Sequence, residues 1–404
     1  MQLKDDSAGD RSSPSVRTIH AIFCNALMRG GVSYTVRELL DNMPGPLLRR
    51  RLWFPQGDPS LKREYHRPVF SHVLWRGLCK ARIPNDWQIP VVTHIALRDV
   101  RPGDVVYAWP PYNTAFMRRA KNRGAMLVAE RINCMGPMYK AVLERAYARI
   151  GRPLPSGCCS PEAMAEEKVQ TELCDFVTAP SAFVVQSLID AGIAADRILQ
   201  TSYGWSPARL AGAVDLDRPD RPPVFVFVGL GIVRKGLNLL LEAWERADVK
   251  GKLLIAGRID DDIRGICSRQ LARPDVQELG FVPDVASVYA AADVFALPTH
   301  EEGGPQVTYE AAGCGLPMIV SPMGAGRIVR NGQEGYVIDP FNTHAWVEAI
   351  RALAHDVALR RRFGAAAAAR AKEFTWQHAG GRLYDHLVKA ISQFRRRDVR
   401  AGAS

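Results

Sequence analysis

The feature that most constrains this chain is an alternation that runs twice. Short apolar runs alternate with amphipathic stretches, stop at a polar, proline-rich segment, and then begin again. In the first pass, Ile19–Cys24, Asp104–Trp109, Ala125–Glu130 and Phe176–Ala179 read as strands. Val32–Leu40, Thr114–Asn122 and Glu162–Leu173 read as helices, and Ser181 sits where an N-cap would open a helix through Ala191. Residues 43–90, rich in Pro, Arg and Trp, yield no assignment. Residues 206–223, SPARLAGAVDLDRPDRPP, form the break. In the second pass the strands are Val224–Val228, Leu253–Ala256, Val276–Leu279, Val294–Leu297 and Met318–Val320. Helices are expected at Leu237–Ala247, Val285–Ala291 and Gln306–Cys314, with closing helices over 343–355, 357–372 and 376–394. Strands that alternate with helices build parallel sheets covered on both faces. The expected fold class is therefore α/β, as two doubly wound Rossmann-like domains. A disordered segment 1–16 is followed by an N-terminal domain 17–205, a linker 206–223 and a C-terminal domain 224–372. A helix over 373–395 is expected to return to the N-terminal domain, before a disordered tail 396–404.

Composition narrows the function classes. With 47% apolar and 24% charged residues, the chain has the balance of a globular protein. No run approaches the about 18 apolar residues of a membrane-spanning helix. The 53 Lys and Arg exceed the 42 Asp and Glu, leaving a formal charge of +11. Such an excess suits nucleic acid, an anionic membrane, a phosphorylated substrate or simply a solvated surface. The clusters Arg49–Arg51 and Arg395–Arg397 lack the aromatic and glycine pattern of an RNA-binding module, so no nucleic-acid partner is expected. The eight cysteines form no CxxC pair and no zinc spacing, so no metal is expected. The first fifteen residues carry Asp5, Asp6 and Asp10 and no apolar core. A cytoplasmic protein with reduced thiols is the expectation.

Two stretches carry chemistry. In residues 225–244, FVFVGLGIVRKGLNLLLEAW, a buried strand ends at Gly229 and Gly231, and Arg234 and Lys235 follow. Two cations beside a glycine turn suit a diphosphate, Arg as a fork and Lys as a point charge. A surface turn with solvated cations fits the same pattern taken alone. In residues 296–321, ALPTHEEGGPQVTYEAAGCGLPMIVS, a strand leads into a turn with Glu302, Gly303 and Gly304, and Pro305 opens a helix that holds Glu310. The amides of the Gly303–Gln306 turn are a ready anion site. A loop carboxylate can accept bonds from sugar hydroxyls, and a helix carboxylate from the two hydroxyls of a ribose. Either glutamate alone is also explained by the helix dipole.

In this order, residues 224–377 resemble the donor-binding half of retaining GT-B glycosyltransferases of family four, the group 1 glycosyl transferases. The resemblance rests on Gly229, Arg234-Lys235-Gly236, Gly280-Phe281-Val282, Ala292-Asp293-Val294 and Leu297-Pro298. It continues through the E-x7-E pair Glu302 and Glu310, Gly315-Leu316-Pro317, Gly335-Tyr336-Val337 and Phe374-Thr375-Trp376. The resemblance implies a hexosyltransferase-type enzyme that moves a sugar from a nucleotide-diphosphate sugar to a glycan, lipid-linked or polysaccharide acceptor. The anomeric configuration would be retained and no cofactor required. Arg234 and Lys235 would neutralise the diphosphate, Glu310 would bind the ribose, and Glu302 the transferred sugar. An epimerase-like enzyme on the same fold, or a non-catalytic polyanion-binding protein, are the rival readings.

The N-terminal half matches less. Arg29-Gly30-Gly31-Val32 resembles the family's double-glycine loop, which makes Gly30 and Gly31 donor-binding candidates; a plain strand–helix turn fits them too. Where relatives carry a His after the third strand, this chain has Glu130-Arg131. Glu130 is either a carboxylate that orients the sugar or the acceptor, or the salt-bridge partner of Arg131 or another surface cation. His300 either helps hold the diphosphate or is hydrogen-bonded beside Glu301. Trp75, Trp87 and Trp109 are sugar-stacking candidates whose default is packing. Arg49–Arg51, Lys62, Arg63 and Arg67 suggest a peripheral contact with anionic membrane.

Overall fold

The computed structural model describes residues 17–28, 30–45, 48–81, 85–157, 159–210 and 221–401. The segment 1–16 and most of the expected linker, 211–220, therefore lie outside the described residues. The chain divides into two compact units, one of Met1–Ser33 with Pro44–Val128, the other of Tyr34–Met43 with Ala129–Ser404.

Among the described residues there are thirteen strands. The first unit holds β1 (Arg17–Ile22), β2 (Leu48–Phe54), β3 (His66–Pro68) and β4 (Val105–Ala108), paired in the order β3-β2-β1-β4. β5 (Met126–Glu130) leads into the second unit, where β6 (Phe176–Ala179) pairs with β7 (Ile198–Gln200). The six-stranded sheet has the order β10-β9-β8-β11-β12-β13. Its strands are β8 (Val224–Val228), β9 (Lys252–Ala256), β10 (Val276–Gly280), β11 (Val294–Leu297), β12 (Met318–Val320) and β13 (Gly335–Val337). Pairing is parallel, as in β8 against β9 and β11 against β12. Every residue of β4, β6, β8 and β11 is buried, as expected of parallel strands covered on both faces.

The helices of the first unit are α1 (Gly31–Asp41, which carries the chain into the second unit), α2 (His72–Lys80), α3 (Gln88–Asp99) and α4 (Thr114–Asn122). The second unit has α5 (Gly136–Arg149), α6 (Pro161–Leu173), α7 (Ala182–Asp190) and α8 (Leu237–Ala247). They are followed by α9 (Asp261–Ile266), α10 (Ser268–Leu271), α11 (Val285–Ala291) and α12 (Gln306–Gly313). The chain closes with α13 (Thr343–His355), α14 (Val357–Ala371) and α15 (Trp376–Ala401). Ser181 caps α7, its hydroxyl accepting from the Val184 amide. Among the described residues no helix is long and apolar enough to cross a membrane.

Three regions differ from the sequence reading. Arg49–Arg51 do not form a free surface cluster, because they lie within β2, in register with β1. Arg51 is paired with Asp99, and the Arg50 guanidinium sits 5.5 Å from the Tyr65 ring centre. Three arginines inside an apolar run hid the strand from periodicity. α5, over GPMYKAVLERAYAR, had no counterpart in the sequence reading. α15 runs to Ala401, past the expected start of a disordered tail, because no Gly or Pro interrupts the chain between Gly381 and Gly402. This helix packs on Tyr34 and Asn42. Trp376 Nε1 donates to the Tyr34 hydroxyl at 3.2 Å, and a Cβ on Gly380 would stand 2.5 Å from the Asn42 carbonyl oxygen.

Candidate functional site

The two chemical stretches meet in the second unit. β8 ends at Val228, the Gly229 amide donates to the Ala256 carbonyl at 2.9 Å, and a 3-10 turn spans Val233–Lys235. Gly236 closes that turn at φ +71°, and a Cβ there would stand 2.1 Å from the Pro298 carbonyl oxygen. Only glycine tolerates both the left-handed backbone and the contact. The turn is thereby pressed onto the segment after β11. The His300 amide donates to the Arg234 carbonyl at 2.8 Å, and the Thr299 hydroxyl donates to the same oxygen at 3.1 Å.

Charge is matched throughout this contact. Arg234 Nη1 donates to the Glu301 carbonyl oxygen at 2.9 Å and lies 3.2 Å from the Glu301 carboxylate and 3.4 Å from that of Glu302. The Lys235 ammonium contacts the Glu302 carboxylate. Burial, reinforced by the neighbouring Arg234 charge and opposed by Glu301, pushes the Lys235 ammonium down to about 7. Glu301 is the residue the sequence reading gave no role. Fully buried, it also accepts from Asn133 Nδ2 at 2.7 Å and from the Cys134 amide at 3.0 Å. It thus ties the Arg234 guanidinium to the loop after β5.

Glu310 projects from α12 and is buried. Its carboxylate accepts from Gln306 Nε2 at 2.8 Å, Arg209 Nη1 at 2.9 Å and the Tyr289 hydroxyl at 3.0 Å. Burial raises its pKa above the usual carboxylate value, against the pull of Arg209 and the two neutral donors. The Thr35 hydroxyl meets Gln306 Oε1 at 3.2 Å, and the Arg209 guanidinium lies 4.7 Å from the Tyr34 ring centre. Arg209 falls in the stretch whose composition marks a linker, and no local pattern distinguishes it. Its pairing with Glu310 follows from the fold alone.

The remaining candidates fall out as follows. Gly303 and Gly304 are buried, and the Ile132 carbonyl oxygen lies 2.2 Å from where a Gly303 Cβ would be. Close packing on the loop after β5 therefore requires this glycine. Gly30 and Gly31 lie in the other unit, both exposed, where Gly31 opens α1 at φ +60°; Arg29 is outside the described residues. Glu130 is buried at the end of β5. Its carboxylate accepts from the Thr178 hydroxyl and, at 2.9 Å, from the Tyr203 hydroxyl. Arg131 Nη2 lies 2.5 Å from the Glu167 carboxylate and donates to the Cys134 carbonyl at 3.1 Å. His300 is buried 4.7 Å from the Phe341 ring, and neither ring nitrogen has a hydrogen-bond partner. Burial, with Arg149 and Arg145 nearby, pushes it down to about 4, so it is a neutral packed imidazole at pH 7. Trp109 is buried and Trp87 packs on Phe70. Among the described residues no group of three His, Cys, Asp or Glu could hold a metal ion.

Residues 222–356 match the family model described as Glycosyl transferases group 1. The chain is 27% identical over 219 residues to the D-inositol 3-phosphate glycosyltransferase of Xylanimonas cellulosilytica, an alignment covering 51% of this chain and 52% of the relative. It is 27% identical over 297 residues to the protein of that name from Streptosporangium roseum, covering 68% of this chain and 66% of the relative. The chain thus matches about half to two thirds of these relatives' lengths. Among solved structures, sucrose-phosphate synthase from Thermosynechococcus elongatus superposes with a TM-score of 0.69 at 18% identity, covering 93% of this chain and 100% of that chain. The lipopolysaccharide outer core galactosyltransferase WaaB gives 0.67 at 15%, covering 92% and 99%. HepE of Anabaena, solved in complex with UDP-glucose, gives 0.61 at 15%, covering 94% and 98%. The fold is that of these proteins, GT-B, with two Rossmann-like domains.

Proposed function

We propose that the chain is a glycosyltransferase that takes a sugar from a nucleotide-diphosphate sugar and passes it to a hydroxyl acceptor with retention of configuration. One observation carries the reading. A cation pair, Arg234 and Lys235, and a buried carboxylate, Glu310, stand beyond the carboxyl ends of parallel strands, where doubly wound folds bind nucleotides. The leaving group is a nucleoside diphosphate, and the charge that builds on its oxygens is what fixed cations stabilise. Donor binding exchanges partners. The diphosphate takes Lys235 and Arg234 from Glu302, and the freed Glu302 carboxylate accepts from sugar hydroxyls. The ribose takes Glu310 from Arg209. Glu302 and Glu310 are not a hydrolase acid/base pair, because both are donor-binding groups here and do not flank a scissile bond. Retention fits transfer on one face of the sugar, with the departing diphosphate aiding removal of the acceptor's proton.

The UDP-glucose complex of one neighbour makes UDP the first nucleotide to test, and the relatives' name makes a phosphorylated polyol the first acceptor. Acceptors to try are a phosphorylated polyol, a glycan and a lipid-linked sugar. The test is thermal-shift binding of UDP, GDP, ADP, TDP and CMP to the protein and to Glu310→Ala. A nucleotide at a hundredfold excess over its Kd stabilises the fold by about 2.7 kcal/mol. The reading requires that one diphosphate shifts the protein and that Glu310→Ala loses the shift. Stabilisation by every polyanion, unchanged in Glu310→Ala, would overturn it. Proton NMR of the glycoside formed from that donor then reads the anomer.

A further inference from the structure

The first unit carries a face whose charges have no internal explanation. A groove runs between α3 and α4, as cavities of about 470, 280 and 620 Å³, the first two sharing His94, Leu97 and Arg119 and the last two Arg98, Asn122 and Arg123. One end is apolar, lined by Pro90, Val91, Leu97, Ala115 and Phe116. The other is basic, lined by Arg98, Arg101, Arg119 and Arg123. Among the described residues no Asp or Glu lines any part of it. The two carboxylates in the surrounding sequence are engaged elsewhere. Asp99 pairs with Arg51, and Asp104 accepts from His20 and from the Thr18 and Arg101 amides. The four arginines are exposed, and none has a carboxylate partner among the described residues. Two of them donate only to backbone, Arg101 to the Arg98 carbonyl and Arg123 to that of Leu97. Close by in the chain, α2 exposes Val73 and Leu74, 83% and 52% accessible. Trp75 of α2 and Trp87 just before α3 both pack on Phe70, at 6.0 and 5.1 Å between ring centres, which sets α2 beside the start of α3.

We infer that this α2–α3–α4 face docks on an anionic phospholipid surface, with lipid phosphates at Arg98, Arg101, Arg119 and Arg123 and the side chains of Val73 and Leu74 in the interface. The inference moves the membrane contact suggested by the sequence away from β2, where Arg51 is already paired. Basic side chains beside exposed apolar ones are the composition of an interfacial contact, whereas a nucleic-acid groove would offer exposed aromatic rings for stacking. An acceptor held in a membrane would then be met by a protein concentrated on that membrane. The inference is independent of the donor reading, since the experiment below contains no nucleotide.

The experiment is flotation of the full-length protein with vesicles of phosphatidylcholine alone and of phosphatidylcholine with an equal part of phosphatidylglycerol. Binding is expected only to the second, and to weaken with salt. The double variant Arg98→Gln, Arg119→Gln removes two charges that hold no tertiary contact, and should lower partition onto the anionic vesicles by roughly thirtyfold. Lys62→Gln, Arg63→Gln removes the same charge from an exposed loop of the same unit and should change it by less than threefold. Thermal unfolding of both variants checks that they fold. Equal losses from the two variants, or no loss from the first, would overturn the assignment. So would binding of a single-stranded oligonucleotide that the groove variant abolishes while vesicle binding persists.

Discussion

The donor cluster and the α3–α4 face treat arginine in opposite ways. At the donor cluster Arg234 and Lys235 are 21% and 14% exposed, and each stands against a carboxylate. On the α3–α4 face four arginines are exposed and meet no carboxylate. A buried charge must be paired because its desolvation is otherwise uncompensated, whereas an exposed one is solvated and can stay single. Breaking the paired cluster therefore costs folding as well as the binding proposed for it, whereas a change on the unpaired face costs folding little. The first should be sensitive to any change in its own network, the second only to the presence of an anionic partner.

The largest effect that tests this contrast is on stability. Glu301→Ala removes the nearer of the two carboxylates beside Arg234, leaving it Glu302, and leaves Asn133 Nδ2 and the Cys134 amide without their acceptor. Unfolding in urea should show a loss of about 2–4 kcal/mol. Arg119→Ala on the exposed face should fall within about 0.5 kcal/mol of the parent. Comparable losses at the two positions would break the distinction.

How far the sequence revealed these regions follows from the same physics. The Arg234-Lys235 turn and the Glu302…Glu310 spacing are local patterns, each within one strand–turn–helix step, so periodicity and motif spacing find them. Strands such as Val224–Val228 and Val294–Leu297 read directly because they are apolar throughout. Glu301 was passed over because two adjacent glutamates look alike in sequence; which of them turns inward is decided by Asn133 and Cys134, distant in the chain. Arg209 is likewise defined only by its tertiary partners, Glu310 and Tyr34. The strand β2 was missed because its arginines interrupt the apolar run, and the groove because it lies between two helices whose separate patterns are ordinary.

A second difference is in pH. A Lys235 ammonium pushed down to about 7 is charged below that pH and neutral above it. The attraction to a nucleoside diphosphate is therefore present at low pH and lost as pH rises through 7. Calorimetric affinity for the active diphosphate should fall between pH 7 and 9, by up to about tenfold per unit. Lys235→Arg should flatten the profile, because a guanidinium stays charged. Vesicle binding through the arginine face should be level over the same range. A flat profile in the parent protein would place the Lys235 titration outside this window.

The smallest effect bears on the exchange at Glu310. Arg209 Nη1 lies 2.9 Å from this carboxylate, and its side chain is 36% exposed, so solvent screens the pair and its worth is modest. If the ribose must displace the guanidinium, Arg209→Ala removes a competitor that costs binding about 1 kcal/mol, and the Kd for the diphosphate should tighten about fivefold. Glu310 keeps its bonds from Gln306 and Tyr289 in the variant, so the carboxylate remains held for the ribose hydroxyls. A weaker Kd in Arg209→Ala would mean that the guanidinium stays and contacts the nucleotide. The donor cluster would then use its pairing to present Arg209, and not to surrender it.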